Sequence, residues 1–166
     1  MPLDGIKQPE IITLSDDFRL RKYDGHFEIF LPGYQDPVVY QNSEGIFDEE
    51  KKPNLAYVRG MCNFLDSVGE LYYIEAREKD GFVPIGDVTI KQENPPIAIW
   101  RGEYRGRGLG TLVMRAVIER VRALGYDRIV GSTVYKWNTA SQKLHERLGF
   151  RRVSETERDY IYELEL

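Results

Sequence analysis

RGEYRGRGLGTLVMRAVIERVRAL, residues 101–124, divides into a turn rich in glycine and arginine and a long amphipathic segment, with a short apolar run (Ile97, Ile99, Trp100) just before it. Gly106, Gly108 and Gly110 stand at alternate positions. Glycine adopts backbone angles that other residues resist and lets another molecule approach the main chain closely. Leu109, Leu112, Val113, Ala116, Val117, Val121 and Leu124 recur at the three-and-four spacing of one helix face, and Gly125 stands where a C-terminal cap is expected. The stretch therefore predicts strand, glycine turn, helix. A helix that starts in such a turn aims unpaired N–H groups and its positive dipole end at whatever lies there, and phosphate is the usual occupant.

Working outward, the chain of 166 residues suits one domain spanning 1–166, and a 42% hydrophobic fraction is enough for a packed core. The net charge of -4 argues against general nucleic-acid binding. Its distribution is uneven. Residues 101–152 hold twelve Lys and Arg against four Asp and Glu, a net +8 that leaves -12 for the remainder. Solvated helix faces account for such a window in many proteins; a pocket for a small polyanion is the sharper reading. Cys62 stands alone, so neither an intrachain disulfide nor a cysteine metal site is expected, and no metal site is assigned. The first ten residues, MPLDGIKQPE, lack a basic region followed by an apolar run, and no stretch approaches the roughly 18–20 apolar residues of a membrane span. The expectation is a cytoplasmic protein with no membrane partner.

The order of elements supports an α/β fold. After an extended lead-in, Phe18–Tyr23 alternates as a first strand. Residues 24–54, broken by Pro32, Gly33, Pro37, Gly45 and Pro53, predict short helices and loops. Leu55–Val68 predicts a helix. Strands follow at 71–77, 82–91 and 97–100, joined by short turns into an antiparallel meander. After the 109–124 helix come a strand at 128–134, reached by a parallel crossover, and a helix from 139 to 148. Thr139 is read there as N-cap and Gln142 as its capping-box partner. Strands at 150–153 and 160–166 close the chain. The whole is a mixed central sheet of about six to seven strands flanked by helices.

Three phosphate-binding designs compete for the glycine turn. A P-loop requires GxxxxGK[ST], and the chain has no Gly-Lys pair. A dinucleotide fingerprint requires GxGxxG, but Thr111 stands where the third glycine belongs and too little chain follows for a doubly wound sheet. The third design is Arg-x-x-Gly-x-Gly between a strand and a helix. On Tyr104-Arg105-Gly106-Arg107-Gly108-Leu109-Gly110, on Asn138-x-x-Ser141-x-x-Leu144-His145-Glu146-x-Leu148-Gly149-Phe150, and more weakly on Ile85-Gly86-Asp87, the chain resembles the GNAT superfamily of acetyl-CoA-dependent N-acetyltransferases. Its branch is similar to the ribosomal-protein N-terminal acetyltransferases. The likeness covers 70–166 well and the first 69 residues loosely.

The resemblance implies acetyl-CoA as cofactor and direct acetyl transfer to a primary amine of a small molecule or peptide. Amides from Arg107 to Thr111 are implied to cradle the pyrophosphate, with Gly106, Gly108, Leu109 and Gly110 forming the loop. Arg105 and Arg107 supply charge, although either has a second reading as surface decoration. The main chain near Ile99 and Trp100 is implied to meet the pantetheine arm, with Trp100 equally readable as core. Asn138 and Ser141 are candidate cofactor contacts, Asn138 also being readable as a helix-start residue. Transfer calls for a base, an oxyanion donor and an acid for the thiolate. Where many members carry a Tyr, this chain has His145, the candidate acid; packing on the coenzyme, or protonation of the thiolate by water, are its alternatives. Glu93 is the first choice of base, ahead of Asp87 and Glu75. The -12 outside the 101–152 window suits a cationic acceptor, and exposed aromatic strands near the C-terminus make a homodimer reasonable. The absence of that Tyr leaves a second class open: a non-catalytic coenzyme A-binding module.

Overall fold

The computed structural model describes residues 3–166. The meander is present as β3 (Glu70–Glu78), β4 (Gly81–Ile90) and β5 (Ile97–Ile99). On its other edge stand β2 (Phe18–Lys22) and β1 (Ile11–Thr13), giving the antiparallel order β1-β2-β3-β4-β5. A second antiparallel sheet, ordered β6-β8-β7, is built from β6 (Arg128–Tyr135), β7 (Arg151–Glu155) and β8 (Asp159–Glu165). Eight strands thus replace the expected six to seven. The unforeseen β1 has three residues, too few for a period of two to declare itself.

The mixed character of the sheet resides in one bridge. Segment 92–94, which leads into β5, meets β6 in parallel at Glu93 and Val130. Asn94 N–H donates to Val130 O (2.8 Å), and Val130 N–H donates to Gln92 O (3.0 Å). The pairing stops there for a local reason. Pro95 and Pro96 come next and have no N–H to donate. Asn94 sits at φ 49, and its side-chain oxygen takes the Thr133 N–H at 3.0 Å. Beyond that point β5 and β6 form no pairs with each other, and the two sheets open as a V.

Helices cover both faces. α4 (Leu109–Ala123) packs Leu109, Val113, Met114, Val117 and Val121 against Tyr72, Ile74, Val88, Ile90 and Ile129. On the opposite face, α1 (Leu31–Tyr34), α2 (Pro37–Glu44) and α3 (Leu55–Val68) enclose Phe30, Tyr34, Val58, Cys62 and Leu65 against Leu71, Tyr73, Ala98 and Trp100. With helices on each side, β3 is buried nearly throughout, Leu71 to Ala76 being at most 2% exposed. The buried Tyr hydroxyls find acceptors: Tyr72 Oη donates to Pro9 O (2.8 Å) and Tyr73 Oη to Asp24 (2.6 Å).

The last helix, α5 (Thr139–Arg147), corrects the capping expectation by one residue. Asn138, not Thr139, is the N-cap: its Oδ1 accepts from Ser141 N–H at 3.2 Å. Such a cap is worth about 1 kcal/mol. Gln142 reaches back instead to the carbonyls of Tyr135 (3.3 Å) and Lys136 (3.0 Å).

Candidate functional site

The open end of the V is a cleft of about 490 Å³. Ile97, Ala98 and Ile99 of β5 line one side, and Asn138, Ser141, Leu144 and Arg147 of the α5 segment the other. The glycine loop closes one end, and Val38, Val39, Asn42 and Ser43 of α2 lie across it. Trp100 N–H donates to Ile85 O (2.8 Å) and Thr89 N–H to Pro96 O (3.1 Å). Even-numbered residues of β5 therefore turn their main-chain groups to β4, and Ile97 and Ile99 turn theirs to the open side. Arg105 Nε already donates to Ile99 O (3.0 Å). The groups left for an extended ligand are the Ile99 N–H and both groups of Ile97, a residue the sequence reading placed in the strand without naming it as a contact.

Trp100 belongs to the core. It is 6% exposed, its carbonyl accepts from Arg105 Nη2 (2.6 Å), and its indole Nε1 donates to Asp87 Oδ1 (2.8 Å). Every polar group it owns is engaged.

In the loop, Gly106 (φ 71) and Gly108 (φ 80) hold left-handed backbone angles, and Gly108 is the N-cap of α4 with no side-chain cap. The first helical bond runs from Leu112 N–H to Gly108 O (3.1 Å), and among the described residues no acceptor meets the N–H groups of residues 106–111. Gly110 serves another purpose: a Cβ there would lie 3.3 Å from the Leu144 side chain, so its absence lets α5 come close.

The two loop arginines differ. Arg105 is a strut, bound to the Ile99 and Trp100 carbonyls and 3.7 Å from Asp36, the N-cap of α2. Arg107 turns outward to the Glu103 carbonyl (3.3 Å) and does not line the cleft. The cleft's other cations, Lys143 and Arg147, were missed; Arg147 Nη1 donates to Thr111 Oγ1 at 2.9 Å. Their i, i+4 spacing on the predicted helix was the available signal. Much of the +8 window is spent elsewhere, on pairs such as Arg120–Glu70, Arg128–Glu163 and Lys136–Glu155.

The candidate acid and bases fall in four different places. Asn138 and Ser141 line the cleft, but His145, 5% exposed, does not. Its ring packs on Phe150 (4.9 Å between centroids) and Tyr162 (5.4 Å), its Nδ1 is 2.7 Å from Ser141 O, and burial lowers its pKa. Glu93 sits at the closed end of the V and lines a separate hollow with Phe64, Lys91 and Tyr126. Glu75 is buried between Arg19 (2.7 Å) and Arg21 (2.9 Å). Asp87, 1% exposed, accepts from Trp100 Nε1 and from Tyr34 Oη (2.8 and 3.1 Å to its two oxygens). Burial outweighs those two donors and, with the charge of Glu44 nearby, pushes Asp87 up to about 7.

α2 was not foreseen as a site element. Its Gln41, Asn42 and Gly45 carbonyls accept from Trp137 Nε1 (3.0 Å), Asn138 Nδ2 (3.5 Å) and Arg158 Nη2 (2.9 Å). Bound to Arg105 at its start and to the second sheet at its end, the helix spans the mouth of the V.

Residues 39–150 match the acetyltransferase (GNAT) family profile. The chain is 31% identical over 93 residues to an L-2,4-diaminobutyric acid acetyltransferase of Streptomyces coelicolor, covering 51% of this chain and 55% of that one; it thus spans about half the length of this curated relative. Among solved structures it is similar in fold to a domain from Methanocaldococcus jannaschii (TM-score 0.76, 22% identity, covering 91% of this chain and 100% of the other). It is also similar to a ribosomal-protein α-N-acetyltransferase in complex with coenzyme A (TM-score 0.70, 17% identity, 95% and 98% covered). No helix among the described residues is long and apolar enough to cross a membrane. With the glycine loop, the V and α5 all inside the matched range, the chain belongs to the GNAT acetyltransferase family.

Proposed function

We propose that this chain is an acetyl-CoA-dependent N-acetyltransferase, acting in the cytoplasm, that moves an acetyl group directly to a primary amine of a small molecule or peptide. The observation that carries the reading is the row of N–H groups at residues 106–111, which have no acceptor in the described chain, in a loop whose Gly106, Gly108, Leu109, Gly110 and Thr111 line the cleft. Such a row at a helix start fits a diphosphate, and Lys143 and Arg147 fit further phosphate charge. When bound, acetyl-CoA supplies an activated acyl thioester. Ile97 and the Ile99 N–H offer the strand edge that an amide-containing arm pairs with. Asn138 and Ser141 form the facing wall. Apolar Val38 and Val39 exclude water from one side.

Proton movement is assigned to water. Among the described residues, no carboxylate, histidine or tyrosine lines the cleft. Glu93 is remote from it, so the base role passes to solvent, which also accommodates an amine arriving in its neutral form. His145 is given a packing role: a neutral ring whose Nδ1 proton is held by the Ser141 carbonyl carries none on Nε2 to give. The test is a titration of acetyl-CoA followed by transfer assays over a panel of amines. Binding and transfer are expected. Binding without transfer to any amine favours the non-catalytic module, for which the lack of an acid or base at the cleft wall speaks, and failure to bind overturns both readings.

A further inference from the structure

The hollow at the closed end of the V, about 520 Å³, shares no residue with the cleft. Two elements wall it. One is α3, where Phe64 and Val68, four residues apart, are 58% and 45% exposed. The other is the start of β6 with its connection from α4, which supplies Leu124 and Tyr126. The segment leaving β4 brings one charge to each wall. Lys91 Nζ lies 5.8 Å from the Phe64 ring centroid, on the α3 side. Glu93 is bridged to Val130 of β6, and a Cβ on Gly131 would lie 3.4 Å from its Cγ, so its side chain is on the β6 side. Among the described residues neither charge forms an ion pair, with the other or with any further group. The neighbouring Glu70 is already engaged by Arg120 at 2.7 Å. Two exposed apolar side chains beside an unpaired cation and an unpaired anion make a surface of the kind that marks an interaction site.

We infer that this hollow is the interface of a homodimer, its occupant a second copy of the chain related by a two-fold axis. Half a turn about an axis through the hollow exchanges the two walls. It sets the α3 wall of one copy on the β6 wall of the other. Lys91 then meets the partner's Glu93, Glu93 meets the partner's Lys91, and Phe64 meets the partner's Leu124 and Tyr126. One operation closes both charge pairs and removes both Phe rings from water. That self-complementarity exists because the opposite charges stand on opposite walls. The C-terminal strands suit a dimer less. Tyr162 is buried, and the Arg152 guanidinium covers Tyr160 at 3.4 Å from its ring centroid. The free edge of that sheet, β7, is short, charged and irregular between Arg152 and Ser154, which are features that block strand pairing. The hollow lies away from the glycine loop, so both clefts stay open in the dimer. The inference does not depend on the acetyl-transfer reading.

The experiment is sedimentation equilibrium of the full chain over a concentration series, with Lys91→Glu, Glu93→Lys and Phe64→Ala alongside. The wild type should show a monomer–dimer equilibrium. Each charge reversal turns both attractive pairs repulsive and should weaken the dimer about 10- to 100-fold. Phe64→Ala, at an exposed position, should weaken it by a similar factor through loss of an aromatic anchor. The decisive sample is an equimolar mixture of Lys91→Glu and Glu93→Lys. Across a two-fold axis these variants complement each other at both pairs, so the mixture should recover a dimer that neither forms alone, and its recovery shows that both are folded. A wild type that stays monomeric up to about 1 mM overturns the inference, whatever small molecule or other protein the hollow then holds. A dimer that Lys91→Glu and Phe64→Ala leave as tight as wild type overturns it too, because it is built on another surface. So does a mixture no more associated than its components. Acetyl-CoA binding per chain should be the same in all of these samples, which keeps this outcome separate from that of the transfer assays.

Discussion

Asp87→Asn separates the buried acid's charge from its hydrogen bonds. In the folded chain Asp87 titrates at about 7 because it is buried, despite the donors Trp100 and Tyr34; in the unfolded chain its pKa is about 3.9. A folded pKa raised above the unfolded one means the native state holds the proton more tightly. The associated stability is complete below about pH 4, is lost as pH rises toward about 7, and then stays level. Roughly three pKa units at about 1.36 kcal/mol each give about 4 kcal/mol over that window. The Asn side chain has no charge at any pH and keeps a carbonyl oxygen for the Trp100 and Tyr34 donors. Urea unfolding of both proteins at steps from about pH 4.5 to about 8.5 gives the difference in stability, in which other titrating groups cancel except Glu44, whose charge couples to Asp87. Wild type should lose ground to the variant by about 1.4 kcal/mol per pH unit up to neutrality and by nothing above about pH 8. Parallel curves would refute the reasoning, because they would mean that Asp87 does not change protonation between the two states and that water reaches it.

Other perturbations have distinct expected outcomes. Gly108→Ala meets open space but forces a left-handed residue, so it should cost about 1–2 kcal/mol of strain in thermal unfolding. Gly33→Ala drives a methyl group into the Trp100 indole and should cost about 1–3 kcal/mol by overpacking, despite an ordinary backbone angle. Lys143→Ala and Arg147→Ala should each weaken acetyl-CoA binding several-fold at low salt and less at high salt, whereas Arg107→Ala, facing outward, should leave it unchanged in the same titration. His145→Phe should lower the melting temperature while turnover keeps its pH profile; a lost alkaline limb would restore the acid role.

What the sequence disclosed depended on how local the cause was. α3 was legible end to end because Leu55, Val58, Met61, Cys62, Leu65 and Val68 recur at helical spacing with Gly69 after them; its N-cap, Asn54, which accepts the Tyr57 N–H at 2.9 Å, was not read. The glycine loop was legible because φ-positive glycines and a following amphipathic helix lie within a few residues of each other. α2 was legible only as one of the short helices or loops of 24–54, without bounds: its eight residues divide between the core (Val39, Tyr40) and the cleft (Val38, Asn42), which blurs a single apolar stripe. Asp87 was named only as one carboxylate among three, since its partners Tyr34 and Trp100 are 53 and 13 residues away. Glu93 was favoured for its nearness in sequence to the loop. That nearness does not reveal on which side of Pro95 and Pro96 the strands part, and Glu93 lies on the paired side.

That parting explains why the cleft exists at all. A continuous β5–β6 ladder would satisfy Ile97 and Ile99 internally and would leave no room between the sheets. Two prolines and the Asn94 side chain interrupt it, and the interruption leaves strand-edge groups and the loop amides without protein partners. Buried, such groups would cost about 1–3 kcal/mol each, so the V must remain wet or be filled. α2 reconciles the two demands: joined to Arg105 on one side and to Trp137, Asn138 and Arg158 on the other, it props the sheets apart without covering the unpaired amides. The requirement falls on backbone groups and a few small or donor-lacking residues, not on most side chains. A chain can therefore keep this architecture while most of its side chains change.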